Sequence, residues 1–265
     1  GPAGSSAAYH MATLGLDVIL LEKQELGRDK VCGDGLTPSA VRELVSMGVD
    51  TSGWQRNRGL RVIGGGHLLH FPWPEQASFP SYGMARPRAL LDRDLAEHAA
   101  AAGARLLTGV TVTGPVTSPT GRVTGVEARP TNRVAYPGIE APTTFSAPLV
   151  IDAGGVSARL ATALGRTKNE RRPMGVAVRA YFRSPRAKDA WMESRLELWD
   201  GKPGKSDLLP GYGWIWSVGE GLVNVGLGSV SSRASATAID YRAVFNRWMD
   251  NVPASWGFTK ENQVG

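Results

Sequence analysis

Hydrophobic and polar positions change period several times along the 265-residue chain, and each change marks an element. Between Ser5 and Leu14, the residues Ala8, Met11, Ala12 and Leu14 fall at helical spacing and are compact enough for close packing on a sheet. Gly15 stops that run, and the apolar DVILLE of residues 17–22 predicts a buried strand. TPSAVRELVSMG (37–48) predicts a second helix, with Thr37 as N-cap, Pro38 in the first turn and Gly48 at the C-terminal break. Residues 60–71 predict two strands joined through glycines. Leu91, Leu95 and Ala99 recur at four-residue spacing in the helix predicted within 86–107, and Gly103 ends it before a strand over 104–107. Alternation in VTVTGPV, RVTGVEA and FSAPLVI predicts an antiparallel meander ending near Ile151, with a short helix over 156–165 behind it.

After that the texture becomes β-like and aromatic, in segments 174–182, 194–199, 212–219 and 221–230, before a last helix over 240–252. The expected fold class is α/β: a Rossmann-like nucleotide domain over 1–52 and 84–168, interleaved with a β-rich substrate domain over 53–83 and 169–265.

Composition narrows the field. With 42% hydrophobic and 20% charged residues the chain is neither disordered nor fibrous, and its apolar runs are too short to cross a bilayer. No basic flank leads into an apolar signal region, and one cysteine, Cys32, excludes a disulfide framework or a multi-cysteine zinc site. A reducing cytoplasmic setting is therefore expected. The net charge of +6 comes from scattered Lys and Arg without a recognisable nucleic-acid motif. A solvated surface is the simpler account, weak attraction to acidic lipids the second.

The first residues carry the most specific chemistry. GPAGS, then helix, strand and Glu22, has the layout of the right half of a dinucleotide-binding βαβ unit, with Gly1 and Gly4 as the second and third glycines of G-x-G-x-x-G. One glycine lets the backbone approach a pyrophosphate and the other lets helix and strand pack closely. Glu22, 18 residues after Gly4 at a strand end, would accept ribose hydroxyls. The plainer account is a small-residue helix start followed by a chance glutamate. Next, GRDKVCGDGLTP (27–38) is too polar and glycine-rich for core and reads as a loop toward a cofactor. His10, His67, His70 and His98 show no metal spacing.

Taken together, GPAGS…LLEK, RDKVCGDGLTP, FPSYGMARPRALLDRDL (79–95), GVAVRAYF, LELWDG and LPGYGWIWSVGEGLVNVGLGSVS (209–231) resemble, in order, the geranylgeranyl reductase family of flavoproteins. That family is a branch of the para-hydroxybenzoate hydroxylase-like fold, and the likeness is greatest to the menaquinone reductases of actinobacteria. The resemblance implies an FAD-dependent oxidoreductase that reduces carbon–carbon double bonds of an isoprenoid lipid or quinone tail. It further implies an electron donor, either NAD(P)H or a redox protein, no nucleic acid, and peripheral contact with the inner face of the cell membrane. By the same resemblance, Ala3 and Gly4 line the FAD pyrophosphate, Glu22 holds the adenosine ribose, Gly1 and Lys23 belong to the cofactor-binding set, and Cys32, Gly33 and Gly35 pass beside the flavin. Arg88 contacts FAD, the backbone of Val112 meets adenine, Gly155 lies at the phosphates, and Tyr212, Trp214 and Trp216 form the substrate motif. Cys32 is the candidate proton donor.

Plainer accounts stand beside these. Cys32 as a small buried residue, Arg88 neutralising Asp92 or Asp94, and the alternating aromatics as one face of a core sheet are each consistent with the sequence. The chain also departs from the family pattern. Gly154 stands where an Asp is usual, with Asp152 two residues away; Trp216-Ser217 stand in place of Phe-Pro; and the first βαβ strand and the later Gly-Asp motif are missing, so the chain reads as truncated at both ends. The alternatives are a flavin monooxygenase or halogenase on the same fold, and a non-catalytic fragment with incomplete FAD binding.

Overall fold

The computed structural model describes residues 1–31, 33–131, 141–167, 173–231 and 239–264. In chain order the elements are helix α1 (Pro2–Thr13), strands β1 (Ile19–Leu21) and β2 (Gly35–Leu36), helix α2 (Pro38–Ser46), strands β3 (Gln55–Asn57), β4 (Gly59–Gly64), β5 (His67–Pro72) and β6 (Gly83–Ala85), and helix α3 (Arg88–Ala101). Strands β7 (Arg105–Leu107), β8 (Val110–Thr117), β9 (Val123–Pro130) and β10 (Thr143–Ser146) precede helix α4 (Arg159–Ala163). Strands β11 (Met174–Arg183), β12 (Trp191–Arg195), β13 (Leu198–Trp199), β14 (Leu208–Leu209), β15 (Tyr212–Gly219) and β16 (Leu222–Ser231) lead to a final helix, α5 (Tyr241–Asp250).

The chain forms two compact units, residues 1–30 with 88–169, and 31–87 with 170–265. Residues 31–52, grouped by sequence with the nucleotide domain, thus fall in the second unit. There β2 and β3 pair with β6, and α2 packs on β6 through its buried Val41 and Leu44.

In the first unit β1 and β7 run parallel, with Ile19 opposite Arg105 and Leu21 opposite Leu107. Small residues bring α1 and α3 onto them: Ala8, Val18, Ala99 and Ala104 form one buried cluster, and Tyr9 stacks on His98. The meander is β10-β9-β8, antiparallel throughout.

The second unit is built on a six-stranded sheet of order β11-β16-β15-β12-β4-β5. Strand alternation gives this sheet two different faces. Val223, Val225 and Leu227 of β16, with Ile215 and Phe182, are buried with Val244 and Phe245 of α5. Asp240 starts that helix by accepting from the amides of Arg242 and Ala243 at 3.0 and 3.1 Å. On the other face Trp214 pairs with Gly226 and Tyr212 with Gly228. The glycine leaves room for the indole: a Cβ at 226 would stand on the Trp214 ring and only 2.7 Å from the Val178 carbonyl oxygen.

Where α5 leaves the sheet, β12 carries charge instead. Glu193, 2% exposed, accepts from Arg186 at 2.8 Å, Arg195 at 2.8 Å and Arg61 at 3.1 Å, while Asp189 accepts from Arg186 at 2.8 Å and pairs also with Arg61. Burial alone pushes both carboxyl groups up, but hydrogen bonds and charge from the arginines outweigh it and hold both below their ordinary values.

Two outcomes follow from this sheet. Gly226→Ala is expected to lower stability by about 1–3 kcal/mol through overpacking against Trp214 and the backbone, read as an earlier midpoint in urea unfolding. Because the folded values of Asp189 and Glu193 are depressed, their stabilisation is fully present above the ordinary values of 3.8 and 4.5 and is lost as pH falls through the lower folded values. Asp189→Asn should therefore flatten the acid limb of the melting temperature plotted against pH; an unchanged limb would count against the arginine pairing.

Candidate functional site

The first unit assembles the dinucleotide half. Gly1 is the N-cap of α1 and Pro2 opens its first turn, which leaves the Ala3 and Gly4 amides without acceptors inside the helix. Gly4 lies where α1 crosses the sheet: a Cβ there would meet Ala153 Cβ at 3.2 Å and Leu20 Cδ1 at 3.6 Å. Glu22, at the end of β1, brings Oε2 to 3.5 Å from the Gly1 nitrogen and accepts the Gln24 amide at 2.9 Å through Oε1. A carboxylate at a strand end and a helix N-terminus, the pair that a dinucleotide-binding unit places together, are thus adjacent.

Around the same helix end, Lys30 Nζ lies 3.8 Å from Asp92, and Arg88, 4% exposed, holds Asp92 through both carboxylate oxygens at 2.7 and 3.1 Å. The pairing of Arg88 with its own helix is therefore what the structure displays. Two cations gathered at one carboxylate stand close to the helix-end amides, an arrangement that suits a pyrophosphate.

Val112 lies in β8 opposite Ala128, next to a register shift between Val112 and Gly114 that interrupts the ladder with β9. Lys23 is exposed, and its carbonyl accepts from Thr131 Oγ1 at 2.7 Å, tying the end of β1 to the end of β9. Gly155 has φ +66°, a conformation that favours glycine. At the departure before it, Asp152 accepts the amides of Gly154 and Ala161, both at 2.9 Å. Asp152 is thereby committed to shaping its own loop, and a Cβ at 154 would press on its Oδ1 at 2.9 Å. The glycine at 154 and the role of Asp152 go together.

The second unit holds the flavin-loop and substrate-motif residues. Cys32 lies outside the described residues. Gly33 is exposed with open space around its Cα, whereas Gly35, in β2, has Met192 packed where a Cβ would go. Between them Asp34 is 0% exposed. Sequence reasoning does not single it out; the signal it offers is a charged residue framed by glycines just before a strand.

Tyr212, Trp214 and Trp216 project from one face of β15, successive rings lying 5.9 and 5.7 Å apart and the latter pair stacked at 17°. Leu60 and Val62 of β4, with Leu69 and Phe71 opposite to them on β5, continue that face. Leu69 and Phe71 are exposed. Ser217 lies on the other face, where it is buried and its hydroxyl donates to the Ala187 carbonyl at 2.7 Å. Of the two departures in the substrate motif, only Trp216 therefore alters the aromatic face. Its Nε1 is buried without a hydrogen-bond partner among the described residues, a donor that a phenylalanine would not carry. Among the described residues no group of three or more His, Cys, Asp or Glu could hold a metal, and no helix is long and apolar enough to cross a membrane.

The chain is 36% identical over 269 residues to a menaquinone reductase of Mycolicibacterium smegmatis, covering 100% of this chain and 62% of that one. It is 29% identical over 249 residues to digeranylgeranylglycerophospholipid reductase 1 of Methanosphaera stadtmanae, covering 91% of this chain and 55% of that one. The chain thus spans less than two thirds of the length of these relatives. A geranylgeranyl bacteriochlorophyll reductase-like structure from Thermoplasma acidophilum superposes with a TM-score of 0.75 at 23% identity, over 96% of this chain and 60% of that one, and so shares the α/β fold. Residues 1–237 match the FAD binding domain family. By that match the chain belongs to the FAD-binding domain family.

Proposed function

We propose that this chain is the cofactor- and substrate-binding part of an FAD-dependent oxidoreductase that saturates a carbon–carbon double bond in an isoprenoid chain, either a menaquinone tail or a geranylgeranyl lipid. The observation that carries this reading is the aromatic and aliphatic face formed by β15, β4 and β5. An isoprenoid tail offers no hydrogen bonds, so its site must be an apolar surface with few polar groups. Tyr212, Trp214, Trp216, Leu60 and Val62 meet that requirement.

FAD, when bound and reduced, supplies the hydride. In this reading Ala3 and Gly4 donate their amides to the pyrophosphate beside Gly1, and Arg88 and Lys30 balance the Asp92 carboxylate next to it. Glu22, with Lys23 at its side, accepts the ribose hydroxyls; the Val112 backbone meets adenine, and Gly155 lets its loop approach the phosphates. Gly33 and Gly35 shape the loop that passes the flavin, with Cys32 as proton donor to the second alkene carbon. The aromatic face holds the tail and keeps water away from the reacting bond. NAD(P)H or a redox protein returns the electrons, and peripheral contact at the inner membrane face gives access to a lipid substrate.

Anaerobic incubation of the holoenzyme with menaquinone and, separately, with a geranylgeranyl lipid should give a product heavier by one pair of hydrogens, read by mass spectrometry. A product that gains oxygen in air would assign a monooxygenase instead, and no change with either lipid would remove the reductase reading. Glu22→Ala is expected to weaken FAD binding roughly tenfold or more, since hydrogen bonds to a charged partner contribute about 1.5–3 kcal/mol. Titration of the apoprotein with FAD, followed by flavin fluorescence, measures it.

A further inference from the structure

The buried carboxyl group of Asp34 has no part in the scheme above, yet it joins buried polar groups from three strands of the second unit. The Tyr181 hydroxyl of β11 donates to Oδ2 at 2.9 Å and lies 3.1 Å from Oδ1. Asn224 of β16 donates through Nδ2 to Oδ2, and Trp214 of β15 donates through Nε1 to Asn224 Oδ1 at 2.8 Å. The Asp34 main-chain carbonyl accepts the Arg86 amide at 3.1 Å, next to β6.

This chain of bonds has a direction. Indole N–H donates to the amide carbonyl, and the amide N–H donates to the Asp34 carboxyl group, so the two bonds run head to tail and each polarises the next. An indole can only donate, and Asp34 accepts from Asn224 Nδ2 through Oδ2. Asn224 therefore has one orientation that satisfies both neighbours, carbonyl toward Trp214 and amide toward Asp34. Turned over, it would set donor against donor and acceptor against acceptor. Register contributes as well: Tyr181 faces Asn224 across β11 and β16, and Asn224 faces Trp216 across β16 and β15, on the aromatic side of the sheet.

We propose that Asp34 is a positioning residue: through Asn224 and Tyr181 it clamps the Gly33–Gly35 loop to the sheet and fixes the orientation of the Trp214 indole at the substrate face. The significance of that indole rests on the proposed function; the clamp itself does not. A loop that lies beside a cofactor and a platform that carries a substrate would then be set by one shared carboxyl group rather than by separate contacts. Side-chain packing alone would not do this, because a planar ring lying on Gly226 can slide or turn in its own plane, and the bond at its nitrogen prevents it.

The test uses the holoenzyme with indole nitrogens labelled, the Trp214 N–H resonance being assigned from Trp214→Phe. Asp34→Ala is expected to move that resonance and to speed its hydrogen exchange roughly tenfold, the equivalent of about 1.4 kcal/mol, with Asn224 as the bridge between residues 34 and 214. Asp34→Asn, which restores an acceptor of the same shape, should recover most of the shift. The same ordering should hold in KM for the lipid, raised about tenfold in Asp34→Ala with kcat changed less. A folded Asp34→Ala protein with the Trp214 resonance unmoved overturns the clamp. Should Asp34→Ala not fold, Tyr181→Phe removes a single hydroxyl and must shift the resonance in the same direction; no shift there overturns it equally. If the unaltered enzyme reduces neither lipid, the function fails while the resonance still judges the clamp.

Discussion

Side chains leave a strand alternately to its two sides, and the second unit depends on β16 keeping that rule without interruption over its length. Val223, Val225 and Leu227 point one way into the apolar cluster under α5, while Asn224, Gly226 and Gly228 point the other. A slip of one residue would put an asparagine amide into the core and valines where the indole of Trp214 must lie flat. The glycines are therefore not weak points of the strand. They are the empty places that let three aromatic rings line up on β15, with Trp214 buried over Gly226 and Tyr212 reaching solvent.

Charge is handled differently in three places, according to what the surroundings can supply. At β12 two carboxylates are matched by three arginines, so buried charge is neutralised by opposite charge. At the start of α1, Arg88 and Lys30 stand beside helix-end amides, in a setting that favours an anionic group. At Asp34 a phenol and an amide donate to a single carboxyl group. The first arrangement holds strands together, the second gathers cations beside free helix-end amides, and the third fixes directions.

Much of this is legible in the sequence because it follows period and punctuation. Thr37, Pro38 and Gly48 delimit α2 as their chemistry demands, and Gly15 and Gly103 both adopt positive φ where the pattern ends a helix. The family is legible from a succession of motifs, each weak alone. What escapes is set by distance along the chain. Asp34 meets Tyr181 and Asn224 across 147 and 190 residues, and no local pattern shows that an aspartate in a glycine-rich loop will be sealed inside a sheet face. The grouping of residues 31–52 shows the same limit: the helix at 38–46 is plain from its caps, but its attachment to β6 depends on strand pairing that the helix itself does not encode.

The sheet order also sets how this unit opens. β16 lies between β11 and β15, with ten consecutive residues in register on one side. β5 forms the outer edge with all six residues exposed. Local opening therefore proceeds from the β5 hairpin inward, and the amides of β16 are the last to exchange with solvent. Asn224 sits in that slowest strand. The hub that orients the indole is thus anchored in the part of the unit that breathes least, and the Gly33–Gly35 loop, irregular as it is, borrows its rigidity from there.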